Sequence, residues 1–235
     1  MKIKDIKFKY LIPFISNSIK SRSILNSYNL NYSIYDKLFF NQQAKFTNYI
    51  INYLKNHNYT NALDLCCGTG ILTICLLNIA DTVTGIDFST GMIKTAKEKA
   101  NTNNIEFKIM DILDMNSQDE YDLITMLGAF SHFNENQLNI LLSKIHKAMK
   151  NNSIFIIGIT PFPWNNNNCF SGSLFDKVMS KLYNLFMAIN GLNERRYIYS
   201  FDSLKIFFNE HNLRLNYIIR ENLVILEAKK YELIS

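Results

Sequence analysis

The stretch that decides the fold of this 235-residue chain is LDLCCGTG, residues 63–70. It belongs to a buried strand, predicted over 62–66, that runs into a glycine-rich turn. The apolar segment 71–80 follows and is predicted to form a buried helix. Glycine permits both the backbone angles of such a turn and the close approach of backbone to a ligand. The stretch predicts a nucleotide-like ligand, although a similar turn occurs in any tight strand-to-helix crossing.

Outward from this stretch, short apolar runs alternate with amphipathic segments, which is typical of strands joined by crossover helices. The further strands are predicted at 82–86, 105–109, 121–127 and 153–159. The helices between them carry apolar stripes at three-and-four spacing, namely Met92, Ile93, Ala96 and Ala100, and then Leu138, Leu141, Leu142, Ile145 and Met149. This order predicts an α/β fold with a parallel sheet.

The flanking segments have different patterns. A helix is predicted around Leu204, Phe207 and Phe208, followed by strands at 213–219 and 223–228 whose tight connection suits an antiparallel hairpin. Before the core, Phe46, Ile50 and Leu54 predict a helix that packs on it. Residues 3–38 are rich in aromatic side chains and show little periodicity.

Composition excludes several classes of protein. With 48% hydrophobic and 19% charged residues, the chain is not an extended disordered polymer. The net charge of +5 comes from scattered basic residues, so no nucleic-acid partner is expected. Four cysteines without regular spacing predict a reducing compartment and no metal site. No apolar run reaches membrane length. We therefore expect a cytoplasmic protein that does not insert into membranes.

Three aspartates lie near the carboxyl ends of three successive predicted strands. Asp64 is inside the first strand, and Asp87 and Asp111 come after the second and the third. Asp87 can accept hydrogen bonds from both hydroxyls of a ribose. Asp64 suits a ligand's ammonium group and would repel a pyrophosphate, and the third glycine of a dinucleotide motif is replaced by Thr73. Asp111 can accept a hydrogen bond from the exocyclic amine of a nucleotide base, while Ile112 covers the face of that base. Carboxyl ends of parallel strands share one edge, so these groups predict one crevice. Alternatively, each aspartate is a helix N-cap or a loop residue.

Four motifs together identify a resemblance to the class I S-adenosylmethionine-dependent methyltransferases over residues 61–229. They are LDLCCGTG, GIDFS around Asp87, IMDI around Asp111, and YDLITMLGAFSHF at 121–133. The resemblance implies a Rossmann-like, seven-stranded, mostly parallel sheet with an antiparallel last strand, helices on both faces and an N-terminal helical cap. The length of the chain suits one domain with appendages, so we expect a single domain over 1–235. It is divided into a cap (1–60), a cofactor-binding core (61–160), a substrate-side insertion (161–200) and a C-terminal helix and hairpin (201–235).

The same resemblance implies S-adenosylmethionine as cofactor, S-adenosylhomocysteine as product, and no metal. The methionine portion would face Asp64, Gly68 and Gly70, and the ribose would face Asp87. Adenine would lie between Phe88 and Ile112, with its amine at Asp111, and the amino group would meet the backbone near Leu127. Two further cofactor-binding candidates are Cys66, where the commonest form of the motif has glycine, and Met92.

The sequence says less about the residues that contact the methyl acceptor than about those that bind the cofactor. Tyr32, Tyr35 and Phe39 are candidates for an aromatic lid over the sulfonium, or for plain packing of an N-terminal helix. His132 follows the fourth strand and could act as a general base or hydrogen-bond a loop carbonyl. Phe162 and Trp164 could line an apolar pocket or close the core. These residues predict a small or medium-sized organic acceptor, bound by a monomer or a homodimer.

Several rival functions stay open or are disfavoured. Somewhat similar motifs occur in quinone-biosynthesis C-methyltransferases, and a non-catalytic cofactor-binding subunit is a further alternative. An NAD-dependent oxidoreductase is disfavoured by Asp64 and Thr73. The motif of DNA amino-methyltransferases is missing at 125–128, where the chain has TMLG. The sequence therefore favours direct in-line methyl transfer to a small molecule.

Overall fold

The computed structural model describes residues 23–159, 199–220 and 223–231, with Tyr10, Pro13, residues 16–18, 181, 182, 185, 188 and 197 from the flanking segments. The helices are α1 (Ile24–Leu54), α2 (Ile71–Leu76), α3 (Thr90–Lys99), α4 (Glu135–Ala148) and α5 (Phe201–Glu210). The strands are β1 (Tyr59–Leu65), β2 (Ala80–Asp87), β3 (Ile105–Ile109), β4 (Tyr121–Leu127), β5 (Met149–Ile159), β6 (Leu213–Arg220) and β7 (Leu223–Lys230). Short 3₁₀ turns lie at Ile112–Asp114 and Phe130–His132.

The seven strands form one sheet in the order β3-β2-β1-β4-β5-β7-β6. β1 to β5 pair in parallel, while β7 pairs antiparallel with both β5 and β6. The predicted parallel core and antiparallel C-terminal hairpin are confirmed. The strand order reverses between β1 and β4, and ligands of open α/β sheets bind at such a switch point, beyond the carboxyl ends of the strands.

Helices cover both faces of the sheet, as predicted. On one face, α4 and α5 bury Leu141, Ile145 and Phe208 against alternate strand residues such as Phe155. On the other face, α1, α2 and α3 pack over the intervening strand residues, with Ile50 completely buried. The period-2 alternation of strand side chains thus supplies one apolar layer to each face.

Some element boundaries differ from the sequence prediction. The helix predicted over 71–80 ends at Leu76, because Ala80 already pairs with Tyr59 as the first residue of β2. β5 begins four residues early, at Met149, and an irregularity in its pairing with β4 accommodates the extra length.

Helix α1 is longer than its apolar pattern predicts. Its three predicted core residues occupy only its C-terminal half, and the helix continues back to Ile24. The side chain of Ser23 caps its N-terminus by accepting a hydrogen bond from the Asn26 N–H at 3.1 Å. At the other end the Tyr53 hydroxyl donates to Glu227 of β7, which joins α1 to the sheet.

Within the described part of the chain, no helix combines the length and apolarity needed to cross a membrane.

Candidate cofactor-binding site

The glycine loop after β1 contains two glycines with positive φ, and the two have different surroundings. Gly68 has φ +55°, and a Cβ placed there would meet no atom within 4 Å. Gly70 has φ +80°, and a Cβ there would lie 2.9 Å from Cβ of Ala96 and 3.1 Å from the Phe107 ring. Gly68 therefore borders open space where a ligand can approach the backbone, whereas Gly70 permits the loop to pack on α3 and β3.

Asp87, at the end of β2, is joined directly to this loop. Its Oδ2 accepts the Gly68 N–H at 2.9 Å, and its Oδ1 accepts the Ser89 N–H at 2.9 Å. Burial raises the pKa of Asp87, while these two hydrogen bonds to the ionised form oppose the shift. Each carboxylate oxygen keeps a further acceptor site. The arrangement can accept hydrogen bonds from a pair of hydroxyls.

Asp64 lies in β1, beneath the loop, and is only 1% exposed. Its two oxygens accept hydrogen bonds from the hydroxyls of Thr73 at 2.6 Å and Thr125 at 2.8 Å. Burial raises its pKa to about 6; the two hydroxyl donors lower it and the charge of Asp87 raises it. Sequence analysis used Thr73 only as evidence against a dinucleotide. In the structure its hydroxyl is a partner of the buried carboxylate.

The three predicted aspartates all influence one side chain, the thiol of Cys66. Burial raises the pKa of Cys66 well above its usual range, and the negative charges of Asp87, Asp64 and Asp111 raise it further. Cys66 itself has φ +54°, unusual for a non-glycine residue. The joint action of the three aspartates on one ligand stays a prediction.

Asp111 follows β3 and is exposed. Its Oδ1 accepts the Leu113 N–H at 2.9 Å, so it caps the 3₁₀ turn Ile112–Asp114, as the alternative interpretation proposed. Two other cofactor candidates are deeply buried, since Ile112 is 3% and Met92 1% exposed. Contact of these residues with a ligand stays a prediction.

Phe88 and Leu127 lie at the rim of the crevice, at the ends of β2 and β4, and both are partly exposed. The Phe88 ring contacts the Tyr28 ring edge-on at 6.0 Å. Directly after Leu127, Gly128 has φ +77° with no atom within 4 Å of an added Cβ. The role of this glycine was missed by sequence reasoning, although a glycine directly after a strand was the available signal.

Helix α1 makes polar contacts with both loops, which the sequence did not predict. The Oδ1 atom of Asn29 accepts from Oγ of Ser89 at 2.7 Å and from the Gly91 N–H at 3.3 Å. Asp36 accepts from the Thr69 hydroxyl at 2.6 Å and forms an ion pair with Lys99. Neither residue belongs to a sequence motif. Polar residues on a helix are ordinarily solvent-exposed, so the sequence alone provides no reason to expect these contacts.

The predicted lid residues lie on this same helix. Tyr32 packs against Gly91, where an added Cβ would be 2.6 Å from the tyrosine ring. The Tyr35 ring is 4.9 Å from the Phe39 ring and 6.0 Å from the Tyr28 ring. Through Tyr28 this aromatic cluster reaches Phe88. Its action as a lid stays a prediction.

The acceptor-side candidates are only partly described. His132 ends the 3₁₀ turn after β4. The loop around it is bonded to residues near the end of the predicted insertion. The Tyr197 N–H donates to the Ser131 carbonyl and the Tyr199 hydroxyl donates to the Phe133 carbonyl, both at 2.7 Å. Burial raises the pKa of Tyr199 above its usual range.

Phe162 and Trp164 lie outside the described residues. No group of three or more His, Cys, Asp or Glu side chains that could hold a metal ion occurs among the residues that the structure describes.

The parallel core is similar to a described family of protein domains. Residues 62–152 match the family described as "Methyltransferase domain". Over these residues the chain is similar to the class I S-adenosylmethionine-dependent methyltransferase superfamily. The predicted resemblance is confirmed.

Solved structures share this fold at low sequence identity. The DhpI complex with S-adenosylhomocysteine has a TM-score of 0.66 and 17% identity, over 92% of this chain and 98% of that one. Magnesium protoporphyrin IX methyltransferase from Synechocystis, with bound S-adenosylhomocysteine, has a TM-score of 0.59 and 19% identity, over 80% of this chain and 83% of that one. At these identities the likeness concerns the fold.

Curated relatives match only part of the chain. A malonyl-acyl-carrier-protein O-methyltransferase of Acetivibrio thermocellus is 31% identical over 128 residues, which are 53% of this chain and 43% of that one. A demethylmenaquinone methyltransferase of Staphylococcus aureus is 34% identical over 96 residues, 39% of each chain. The chain thus matches less than half the length of these relatives.

Proposed function

We propose that the chain is an S-adenosylmethionine-dependent methyltransferase that transfers the methyl group directly to a small or medium-sized organic acceptor. The observation that carries the proposal is the Asp87 carboxylate, held by two backbone amides beside the open space at Gly68. This pair of features fits a ribose and a ligand that approaches the loop backbone. The match of residues 62–152 to a methyltransferase domain supports it.

Each part of the crevice has a proposed role in holding this cofactor. Asp87 accepts from the ribose hydroxyls, and Asp111, exposed at the end of β3, accepts from the adenine amine. The buried charge of Asp64 favours the positively charged amino group, while Gly68 and Gly128 leave room for the amino-acid tail along two loop backbones. Burial makes the charge of Asp64 more effective than it would be in water.

The bound cofactor supplies a methyl group that is already activated on a sulfonium. The chain's residues then have three tasks: to hold the acceptor in line with the sulfur, to exclude water, and to take a proton if the acceptor carries one. His132, on the loop after β4, is the proposed base, because an imidazole titrates near neutral pH. No side chain has to form a covalent bond with the methyl group.

The acceptor is proposed from the relatives' chemistry. One relative is named for methylating a malonyl thioester at oxygen, and another for methylating demethylmenaquinone. The second relative supports the quinone-like C-methyltransferase as the alternative function. The loop at His132 follows β4 and is bonded to the segment at Tyr197, which supports these two segments as the proposed source of acceptor specificity.

Turnover tests this proposal. The purified chain is incubated with S-adenosylmethionine and with a panel that includes a malonyl thioester and demethylmenaquinone, and released S-adenosylhomocysteine is measured. We expect release that depends on one class of acceptor and decreases about 100-fold in His132→Ala, the lower end of the range for losing a general base. Cofactor binding without acceptor-dependent release across the panel would instead support the non-catalytic subunit.

A further inference from the structure

Helix α1 binds the two loops that orient Asp87. We propose that Asn29 and Asp36 of α1 are positioning residues for cofactor binding, so that docking of α1 and binding of S-adenosylmethionine stabilise each other. The inference rests on the proposed function. It concerns two residues whose hydrogen bonds go to the loops and not to Asp87 itself, so they act through the loops.

Asp36 holds the glycine loop at Thr69. The Thr69 hydroxyl donates to Asp36 at 2.6 Å, and the ammonium group of Lys99 donates to the Thr69 carbonyl at 3.0 Å while it pairs with Asp36. Thr69 is therefore bonded through both its side chain and its backbone, and it is only 1% exposed. Its neighbour Gly68 supplies the N–H that binds Asp87 Oδ2.

Asn29 holds the other loop at Ser89. Its Oδ1 accepts from Oγ of Ser89 at 2.7 Å, and more weakly from Oγ1 of Thr90 and the Gly91 N–H, both at 3.3 Å. Ser89 is completely buried and caps α3 by accepting from the Met92 N–H. The Ser89 N–H is the second amide that binds Asp87, at Oδ1.

The two anchors lie on one side of the helix. Asn29 and Asp36 are seven residues apart, which is about two helical turns, so they share a face. Between them Tyr32 lies against Gly91, where any Cβ would clash with its ring. The helix therefore contacts both loops at once. Of the two donors to Asp87, Ser89 is itself bonded to Asn29, and Gly68 is next in sequence to Thr69, which is bonded to Asp36.

Docking of α1 and binding of the cofactor must influence each other equally. If docking of α1 favours the loop arrangement that binds the cofactor, the bound cofactor must favour docking of α1 by the same factor. We expect the coupling to be about tenfold, near the lower end of the range typical for linked sites.

The test uses full-length variants and S-adenosylhomocysteine as the titrant in calorimetry. Asn29→Ala and Asp36→Ala should each raise Kd about tenfold, at a temperature where circular dichroism shows that the variants are folded. Asn48→Ala is the matched control, because Asn48 is an exposed residue of the same helix. Lys99→Met should also raise Kd, whereas Lys97→Met, exposed in the same last turn of α3, should leave it unchanged.

Two further measurements separate positioning from general support of the fold. Asp36→Asn keeps an acceptor for the Thr69 hydroxyl and should recover part of the lost affinity. Hydrogen exchange of the α1 amides should slow when S-adenosylhomocysteine binds the wild-type chain, and this protection should diminish in Asn29→Ala and Asp36→Ala.

Lower unfolding temperatures with unchanged Kd and unchanged α1 protection would overturn the inference, because the two residues would then support only the fold. A wild-type chain that fails to bind S-adenosylhomocysteine would overturn the proposed function as well. The two failures are thus distinguishable.

Discussion

The loops after β1 and β2 are stabilised differently from the loop after β4. In the first region, Asp87 binds two backbone amides within nineteen residues of itself, at Gly68 and Ser89. In the second region, the loop 128–133 is bonded to Tyr197 and Tyr199, more than sixty residues further along the chain. The proposed cofactor side thus depends on short local motifs together with α1, and the proposed acceptor side on a distant segment.

This difference predicts that cofactor binding and acceptor binding can be altered separately. Changes in the first region should alter cofactor affinity, and changes in the second should leave it intact. The following variants test that separation, from the largest expected effect to the smallest.

Replacement of Asp87 should have the largest effect. Asp87→Ala removes the predicted ribose acceptor and also the common partner of the Gly68 and Ser89 amides. We expect Kd for S-adenosylhomocysteine to rise about 100-fold, which corresponds to roughly 3 kcal/mol. Calorimetric titration measures it. Asp81→Ala, exposed near the opposite end of β2, is the matched control and should bind normally. Equal affinity of the two variants would contradict the assignment.

Asp64 should make stability depend on pH. Its pKa is raised from 3.8 to about 6 in the folded chain, so the folded state holds the proton more tightly than the unfolded state. The free energy of unfolding should therefore fall as pH rises from 4 to 6, by about 3 kcal/mol from this group, and stay lower above pH 6. Urea denaturation of wild type and Asp64→Asn at several pH values measures the difference.

In Asp64→Asn, the part of the decrease in unfolding free energy that comes from Asp64 should be missing. The pH-dependent contribution of Asp87 is present in both proteins. The same variant should bind S-adenosylhomocysteine less tightly, because it lacks the buried negative charge. Parallel pH profiles for the two proteins would show that Asp64 is not destabilised by burial.

Substitutions at the two glycines of the β1 loop should affect different properties, stability at Gly70 and cofactor binding at Gly68. Gly70→Ala should lower the free energy of unfolding by about 2 kcal/mol, because a Cβ at φ +80° also contacts Ala96 and Phe107 too closely. Gly68→Ala meets open space, so it should lower stability by only about 1 kcal/mol and should instead weaken cofactor binding. Urea denaturation and calorimetry on both variants measure the contrast, and the opposite ranking would contradict it.

Tyr199→Phe should have the smallest effect. It removes the hydrogen bond to the Phe133 carbonyl, which costs about 1 kcal/mol of unfolding free energy. Kd for S-adenosylhomocysteine should stay within about twofold of wild type, since this contact lies on the acceptor side. Tyr231→Phe, whose hydroxyl bond to Asn209 is exposed, is the control and should change stability less. A large loss of cofactor affinity in Tyr199→Phe would show that the two regions are not separate.

The parallel core, its hairpin and the aspartates at its strand ends were predictable from sequence. Each depends on local pattern, because a strand followed by glycine and an acidic residue at a strand end are visible within a few positions. The boundary at Leu76 was not, since apolar residues continue through the turn into β2 and periodicity cannot separate a short buried helix from a strand.

The anchors on α1 were not predictable for a different reason. The N-terminal half of the helix packs on the loops through Asn29, Tyr32 and Asp36, so it lacks the apolar stripe that reveals a core helix. Likewise, nothing in the sequence indicates that the Thr73 hydroxyl donates a hydrogen bond to Asp64. Such contacts join residues from separate elements, and only the assembled fold brings them together.

The most direct test of the account is a calorimetric titration of the folded chain with S-adenosylhomocysteine and, separately, with NAD. The account predicts one site per chain for S-adenosylhomocysteine, lost in Asp87→Ala, and no heat with NAD. Failure to bind S-adenosylhomocysteine, or equal binding of NAD, would contradict the claim that this crevice holds the methyl donor.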